Sequence, residues 1–171
     1  MRKAACWMGG LAVVALLGAA GARAEEAHAD LKNADGQRVG TATLQETPHG
    51  VLVTLDLTGV PSGTHAFHIH EVGKCEPPFA TAGGHFNPGA QQHGMMNPAG
   101  MHAGDFPNIE VPASGTLKVQ VLARNVTLGE GKNSLFDADG SALMIHAGPD
   151  DYKTDPAGNA GARIACGVIT K

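Results

Sequence analysis

From residue 27 onward the chain alternates apolar and polar residues in short runs, and nothing in it repeats apolar residues every 3.6 positions. Residues 51–57 (VLVTLDL) give the clearest period-two run, and residues 115–122 (GTLKVQVL) give another. Such alternation turns one side of an extended strand to a core and the other to water. Residues 39–45 alternate in the same way and residues 27–31 more weakly, while residues 63–70, 142–146 and 164–169 are short apolar-rich runs. Turn signals separate them: Asn33-Ala34-Asp35-Gly36, Pro48-His49-Gly50, Pro61-Ser62-Gly63, Asp139-Gly140 and Pro156-Ala157-Gly158. Many short strands with Gly/Pro turns predict one all-β domain, an antiparallel sandwich or barrel. Aromatic residues make up only 4% of the chain, so its core must be built mainly from Val, Leu, Ile and Ala.

Two stretches break this rhythm, residues 71–105 and 148–163, each beginning at or just past a strand that ends in histidine. Long loops of this kind inside a compact domain are usually functional. The two histidine-ended strands therefore predict that both loops lie over one site. The first loop and the strand before it read His68-x-His70, then His85, His93, His102 and Asp105, separated by one, fourteen, seven, eight and two residues.

The N-terminus sets the compartment. Arg2 and Lys3 precede an apolar run at residues 9–21, and Ala22-Arg23-Ala24 has the A-x-A form of a cleavage site. Residues 1–24 therefore read as a secretory signal peptide, and residues 25–171 as the mature domain. Export points to an oxidising compartment outside the cytoplasm and to no stable membrane association after cleavage. Without Arg2, Lys3 and Arg23, nine basic side chains face sixteen acidic ones, a net charge of −7. No Lys/Arg run remains to attract nucleic acid or anionic lipid. Cys6 falls in the signal, and the two remaining cysteines, Cys75 and Cys166, read most simply as one disulfide in an oxidising compartment.

Side chains two apart on a strand point the same way, so His68 and His70 project together, as two ligands of one ion would. His146, at the end of another strand, offers a third nitrogen. His85, His93, His102 and Asp105 form a second group of three nitrogens and a carboxylate, a composition suited to four-coordinate zinc. An all-imidazole group suits copper or zinc. Any one of these residues alone would read as an ordinary surface or core residue; six histidines and an aspartate together do not.

The segments HAFHIH, AGGHFNP, HGMMNPAGMHAGD, ALMIHAGPDDY and GNAGARIACGV resemble the exported bacterial copper,zinc superoxide dismutases from about Gly63 to the C-terminus. The resemblance implies an eight-stranded Greek-key β-barrel of the immunoglobulin-like sandwich kind with two long functional loops. It implies one copper and one zinc per subunit: copper on His68, His70, His85 and His146, zinc on His85, His93, His102 and Asp105. The implied activity is disproportionation of superoxide to dioxygen and hydrogen peroxide. Copper would cycle between two oxidation states, zinc would hold the site, and the shared His85 would supply a proton. Arg163 would draw the anionic substrate to the site, Lys153 would add to that field, and Asp150, rather than Asp151, would link a copper-side imidazole (His68) to a zinc-side one (His93). A homodimer is compatible with the family, and nothing in the sequence is diagnostic of it.

His65 faces away from His68 and His70 by parity and is expected to bond on the barrel side. His49 and His28 read as solvated, and Phe67, Phe79, Phe86 and Phe106 as packing. Thioethers bind copper(I), but gap-filling or exposed side chains are the commoner use of residues such as Met95, Met96 and Met101. A non-enzymatic copper-delivery domain is the rival reading. The presence of every copper ligand and of Arg163 counts against it.

Overall fold

The computed structural model describes residues 25–171; the expected signal peptide and its cleavage site lie outside the described residues. The described chain forms nine strands. β1 (Glu26–Lys32), β2 (Arg38–Thr47) and β3 (Gly50–Thr58) form a meander. β4 (Gly63–His65) and β5 (Phe67–His70) follow, then β6 (Ile109–Val111), β7 (Thr116–Ala123), β8 (Ala142–His146) and β9 (Arg163–Val168). All pairings between strands are antiparallel, in a seven-stranded sheet of order β5-β8-β9-β1-β2-β3-β7 and a two-stranded sheet β4-β6.

The alternation read along the sequence is the alternation of burial. On β3, Val51, Val53, Leu55 and Leu57 are fully buried, with Leu52 and Thr54 half-buried and Asp56 exposed between them. Burying each such side chain contributes roughly 1.5–3 kcal/mol, so one correctly phased strand is enough to fix its own register. Together with Leu31, Leu44, Phe67, Ile69, Leu128, Leu143 and Ile145 these residues form one continuous core. Phe67 stacks on Phe106 with ring centroids 4.8 Å apart, and Phe86 is also buried there. Phe79 packs instead in a small second cluster with Ala82, Ala142, Met144 and Cys166.

Two features differ from the sequence reading. The expected strand over residues 63–70 is interrupted at Ala66, whose N–H donates to Gly148 O at 2.8 Å and whose carbonyl accepts from His146 N at 3.0 Å. Those bonds turn the backbone from the β4-β6 sheet to β8, so β4 and β5 act as one bent strand joining both sheets; counted as one, they give the eight strands expected. β6 has only three residues, too few to show a period, and lies in register against β4. The bend delivers His68 and His70 to the end of the barrel where β8 ends in His146 and β9 begins at Arg163, and His146 and Arg163 are themselves register partners.

Candidate metal centre

The loop after β5 folds back onto the strand it leaves. Ile69 N donates to Gly104 O (2.9 Å), Phe86 N donates to Ile69 O (2.8 Å), and Gly104 N donates to Phe86 O (2.9 Å). This three-way lacing places His85 beside His70 and Asp105 beside His68 in single β-bridges. Across the barrel end, His146 completes a set with His68, His70 and His85, all buried, whose ligand atoms lie within 4.8 Å of one another.

Which nitrogen of each ring faces the centre follows from what the other one does. His68 Nε2 stands 2.8 Å from Asp150 Oδ2, His70 Nδ1 3.1 Å from Gly83 O, and His146 Nδ1 3.3 Å from Gly161 O. Each of those nitrogens carries the ring's proton to an acceptor, so the opposite nitrogen keeps its lone pair. These opposite nitrogens, His68 Nδ1, His70 Nε2 and His146 Nε2, are buried without a hydrogen-bond partner, and so is His85 Nε2. Orphaned buried polar atoms are rare and costly in a folded protein. Four in one cluster, all carrying lone pairs, fit a metal ion.

The second set lies on the other side of the His85 ring. His85 Nδ1, His93 Nδ1 and His102 Nδ1 stand 2.9, 3.0 and 3.4 Å from Asp105 Oδ1, and His85 Nδ1 is 3.3 Å from His102 Nδ1. Zinc bonds of about 2.0–2.1 Å in a tetrahedron put ligand atoms roughly 3.3–3.4 Å apart, so these separations are close to the edges of such a site. Asp105 is aimed by its other oxygen, which accepts from Gly94 N and His102 N at 3.0 Å each. His85 thus offers Nδ1 to one set and Nε2 to the other.

Asp150 ties the two sets together: besides His68, its Oδ1 stands 3.0 Å from His93 Nε2. Its backbone is clamped by Asn108, which donates from Nδ2 to Asp150 O (2.9 Å) and accepts from Asp150 N at Oδ1 (2.8 Å). Gly158 has a positive φ of 62°, and a Cβ there would lie 2.0 Å from Asp150 Oδ1 and 2.7 Å from His93 Nε2, so only glycine leaves room for the link. Asp155 Oδ1 accepts from His93 N. The sequence reading missed Asn108, Gly158 and Asp155 as site residues, because Asn108 acts on Asp150, Asp155 on His93 and Gly158 on the Asp150–His93 pair, contacts that only the folded loops create. Only the turn at Pro156-Ala157-Gly158 carried any local signal.

The electrostatics divide the same way. Burial lowers His70 to a pKa of about 2, His85 to about 4 and His146 to about 3, and neighbouring positive charge adds to the effect, so these rings are held neutral. Burial also pulls on His93, but hydrogen bonds to Asp105 and Asp150 outweigh it and raise that ring to about 9. Asp105 and Asp150 are pushed up by burial, yet the imidazole hydrogen bonds win and hold both far below the usual carboxylate range.

Arg163 is half-buried, and its Nη1 and Nη2 donate to Phe79 O and Gly83 O, both at 2.6 Å. Gly83 O is also the acceptor for His70, which places the guanidinium beside the four-nitrogen set. Burial lowers the Arg163 pKa. Cys75 and Cys166 form the expected disulfide, which ties the start of the first loop to β9. Asp151 is turned away from the centre: it is exposed and caps its own turn through Thr154, Lys153 and Asn159. His65 turns to the barrel side, its ring between His146 O (2.8 Å) and Pro61 O (2.9 Å). His28, His49 and Lys153 are exposed.

The family model described as copper/zinc superoxide dismutase (SODC) matches residues 38–169. The chain belongs to this family. Among its copper/zinc superoxide dismutase relatives, "Superoxide dismutase [Cu-Zn] 1" of Aquifex aeolicus is 57% identical over 145 residues, covering 83% of this chain and 86% of the relative. "Superoxide dismutase [Cu-Zn]" of Caulobacter vibrioides is 46% identical over 147 residues, 84% of each chain. Among solved structures, a superoxide dismutase-like protein from Bacillus subtilis superposes with a TM-score of 0.79 at 42% identity, over 82% of this chain and 96% of that one. A double mutant of the same protein gives 0.81 at 44% identity, over 84% and 97%. Copper and zinc are the metals of the family, and two adjoining donor sets, one of four imidazoles and one of three imidazoles and a carboxylate, suit that pair.

Proposed function

We propose that this chain is a superoxide dismutase in which His68, His70, His85 and His146 hold copper and His85, His93, His102 and Asp105 hold zinc. The observation that carries this reading is the group of four partnerless, lone-pair-bearing nitrogens beside a carboxylate-centred set, with one ring common to both. Copper, when bound, supplies a one-electron couple, so that one superoxide is oxidised to dioxygen and a second, with two protons, is reduced to hydrogen peroxide, while zinc supplies fixed charge and geometry.

The residues do the rest. Arg163 attracts the anion: in a domain of net charge −7 the approach would otherwise be repulsive, and a pinned guanidinium beside His70 reverses the local field. Hydrogen bonds fix the proton positions of His68, His70 and His146, so these rings orient and do not shuttle. His85 Nε2 has no such bond, so when it is not committed to a cation it is the atom that holds a proton for the reduced substrate. Were both nitrogens committed to cations, His85 would be an anion, a state that only two flanking cations favour. Asp150 keeps the two sets in register. Residues 1–24 act as an export signal, residues 25–171 are the working domain in the periplasm, and the disulfide suits that oxidising compartment.

The test is metal analysis of the exported protein paired with superoxide decay before and after chelation. The expected result is one copper and one zinc per chain, with catalysis lost on copper removal and restored when copper is returned. A protein that holds both ions and leaves superoxide decay unchanged refutes the reading.

A further inference from the structure

Three of the four methionines in residues 25–171 fall within seven residues of one loop: Met95, Met96 and Met101. The fourth, Met144, is fully buried. Met95 and Met96 are 38% and 62% exposed, Met101 is half-buried, and none of the three belongs to either apolar cluster. Leaving such a side chain in water forgoes roughly 1.5–3 kcal/mol of burial, so packing does not account for them.

The loop that carries them is closed on itself. Gly94 N and His102 N both donate to Asp105 Oδ2, which sets its two stems side by side. Gln92 N donates to Ala99 O (3.1 Å), Asn97 N to Gly94 O (3.0 Å) and Gly100 N to Asn97 O (3.0 Å), while a Cβ on Gly100 would come within 2.9 Å of Gly94 O. Met96 N donates to Tyr152 O (3.0 Å), fastening the loop to the second one. Met95 leaves one stem directly after Gly94, Met101 leaves the other directly before His102, and Met96 sits between them. Three flexible thioethers are thus rooted on one small, braced ring at the surface.

A thioether is a soft, uncharged donor that needs no deprotonation, and it selects copper(I) over zinc. The two cysteines of the described chain are joined to each other, and Met144 is buried, so the ring carries the soft donors that solvent can reach. We propose that Met95, Met96 and Met101 form a docking site for one cuprous ion, from which the four-histidine set is filled; the filling step rests on the reading of that set as the copper site.

Two experiments test this. Protein already carrying its copper and zinc is titrated anaerobically with copper(I) against a chromophoric cuprous chelator. One further equivalent should bind, with sulfur neighbours in its X-ray absorption spectrum. The Met95→Leu/Met96→Leu/Met101→Leu variant, which nearly conserves volume, should bind that equivalent at least tenfold more weakly while keeping both resident metals. Equal binding by the two proteins, or nitrogen and oxygen neighbours alone, overturns the docking site. Zinc-loaded, copper-free protein is then given substoichiometric copper(I). The variant should fill its histidine set several-fold more slowly to the same final level. Equal rates overturn the filling role, and failure of both proteins to fill counts against the four-histidine reading instead.

Discussion

Single atoms decide most of what this site can do. Arg163 is tied to two carbonyls, one of them shared with His70, so its charge is held beside the four-nitrogen set, where on the proposed reading the anion arrives. Arg163→Ala should keep both metals yet lose about tenfold or more in rate at low ionic strength, together with most of the salt dependence, because the field rather than the metal chemistry is removed. Stopped-flow superoxide decay across a salt series checks this; an unchanged low-salt rate would refute the steering role. Gly158 makes the opposite kind of contribution, by absence. Gly158→Ala places a methyl group on the Asp150–His93 link at a positive φ. It should destabilise by more than the ~0.4–1 kcal/mol that a Gly→Ala change gains at a compatible position, and weaken zinc retention, read by thermal unfolding and by zinc release to a chelator. The role of Arg163 was legible only through the family motif that surrounds it, and that of Gly158 not at all. His68, His70 and the later ligands could be recognised because H-x-H parity and clustered ligand types are local or compositional signals. Asn108, Asp155 and Gly158 could not, since each acts on a partner brought near only by the folded loops.

At the scale of elements, burial of two strand-borne imidazoles and of the loop imidazole laced against them sets the pH response of the metal-free protein. His70, His85 and His146 have folded pKa values of about 2, 4 and 3, below their unfolded value of 6.5, so the unfolded chain binds more protons as pH falls. Their contribution is present above pH 6.5 and is lost progressively below it, down to about pH 4 and further. His93, raised to about 9, contributes stability below pH 6.5 that is lost as pH rises through about 9. The metal-free protein should therefore show its highest denaturation midpoint near neutral pH and fall off on both sides. Zinc should displace a proton from His93 on binding, detectable as proton release in weak buffer. A midpoint flat from pH 7 to pH 5 would contradict these directions. The strands were legible to within a residue or two: the long runs alternate in phase with the core, while β8, matched end to end, is a short apolar run buried throughout. The break at Ala66 was not legible, since it arises from bonds to His146 and Gly148 some eighty residues on. Nor was β6, whose three residues are too few to show a period.

For the whole molecule, the barrel is a frame that carries His68, His70 and His146 on β5 and β8, the first long loop supplies His85, His93, His102 and Asp105, and the second adds Asp150, which links the two sets. The disulfide spans 91 residues and anchors the first loop to β9, a constraint for which the chain-entropy model gives about 4–5 kcal/mol. Frame, loops and disulfide together hold two donor sets with one imidazole in common, and on the proposed reading the four-imidazole set does the redox chemistry while the other set holds the shared ring in place. The most direct measurement is pulse-radiolytic superoxide decay as a function of which set is loaded. Protein carrying copper and zinc should accelerate decay with a rate that falls as salt rises, and protein carrying zinc alone should leave decay at the rate of buffer. Acceleration by the zinc-only protein, or none by protein shown to hold both ions, would contradict the account.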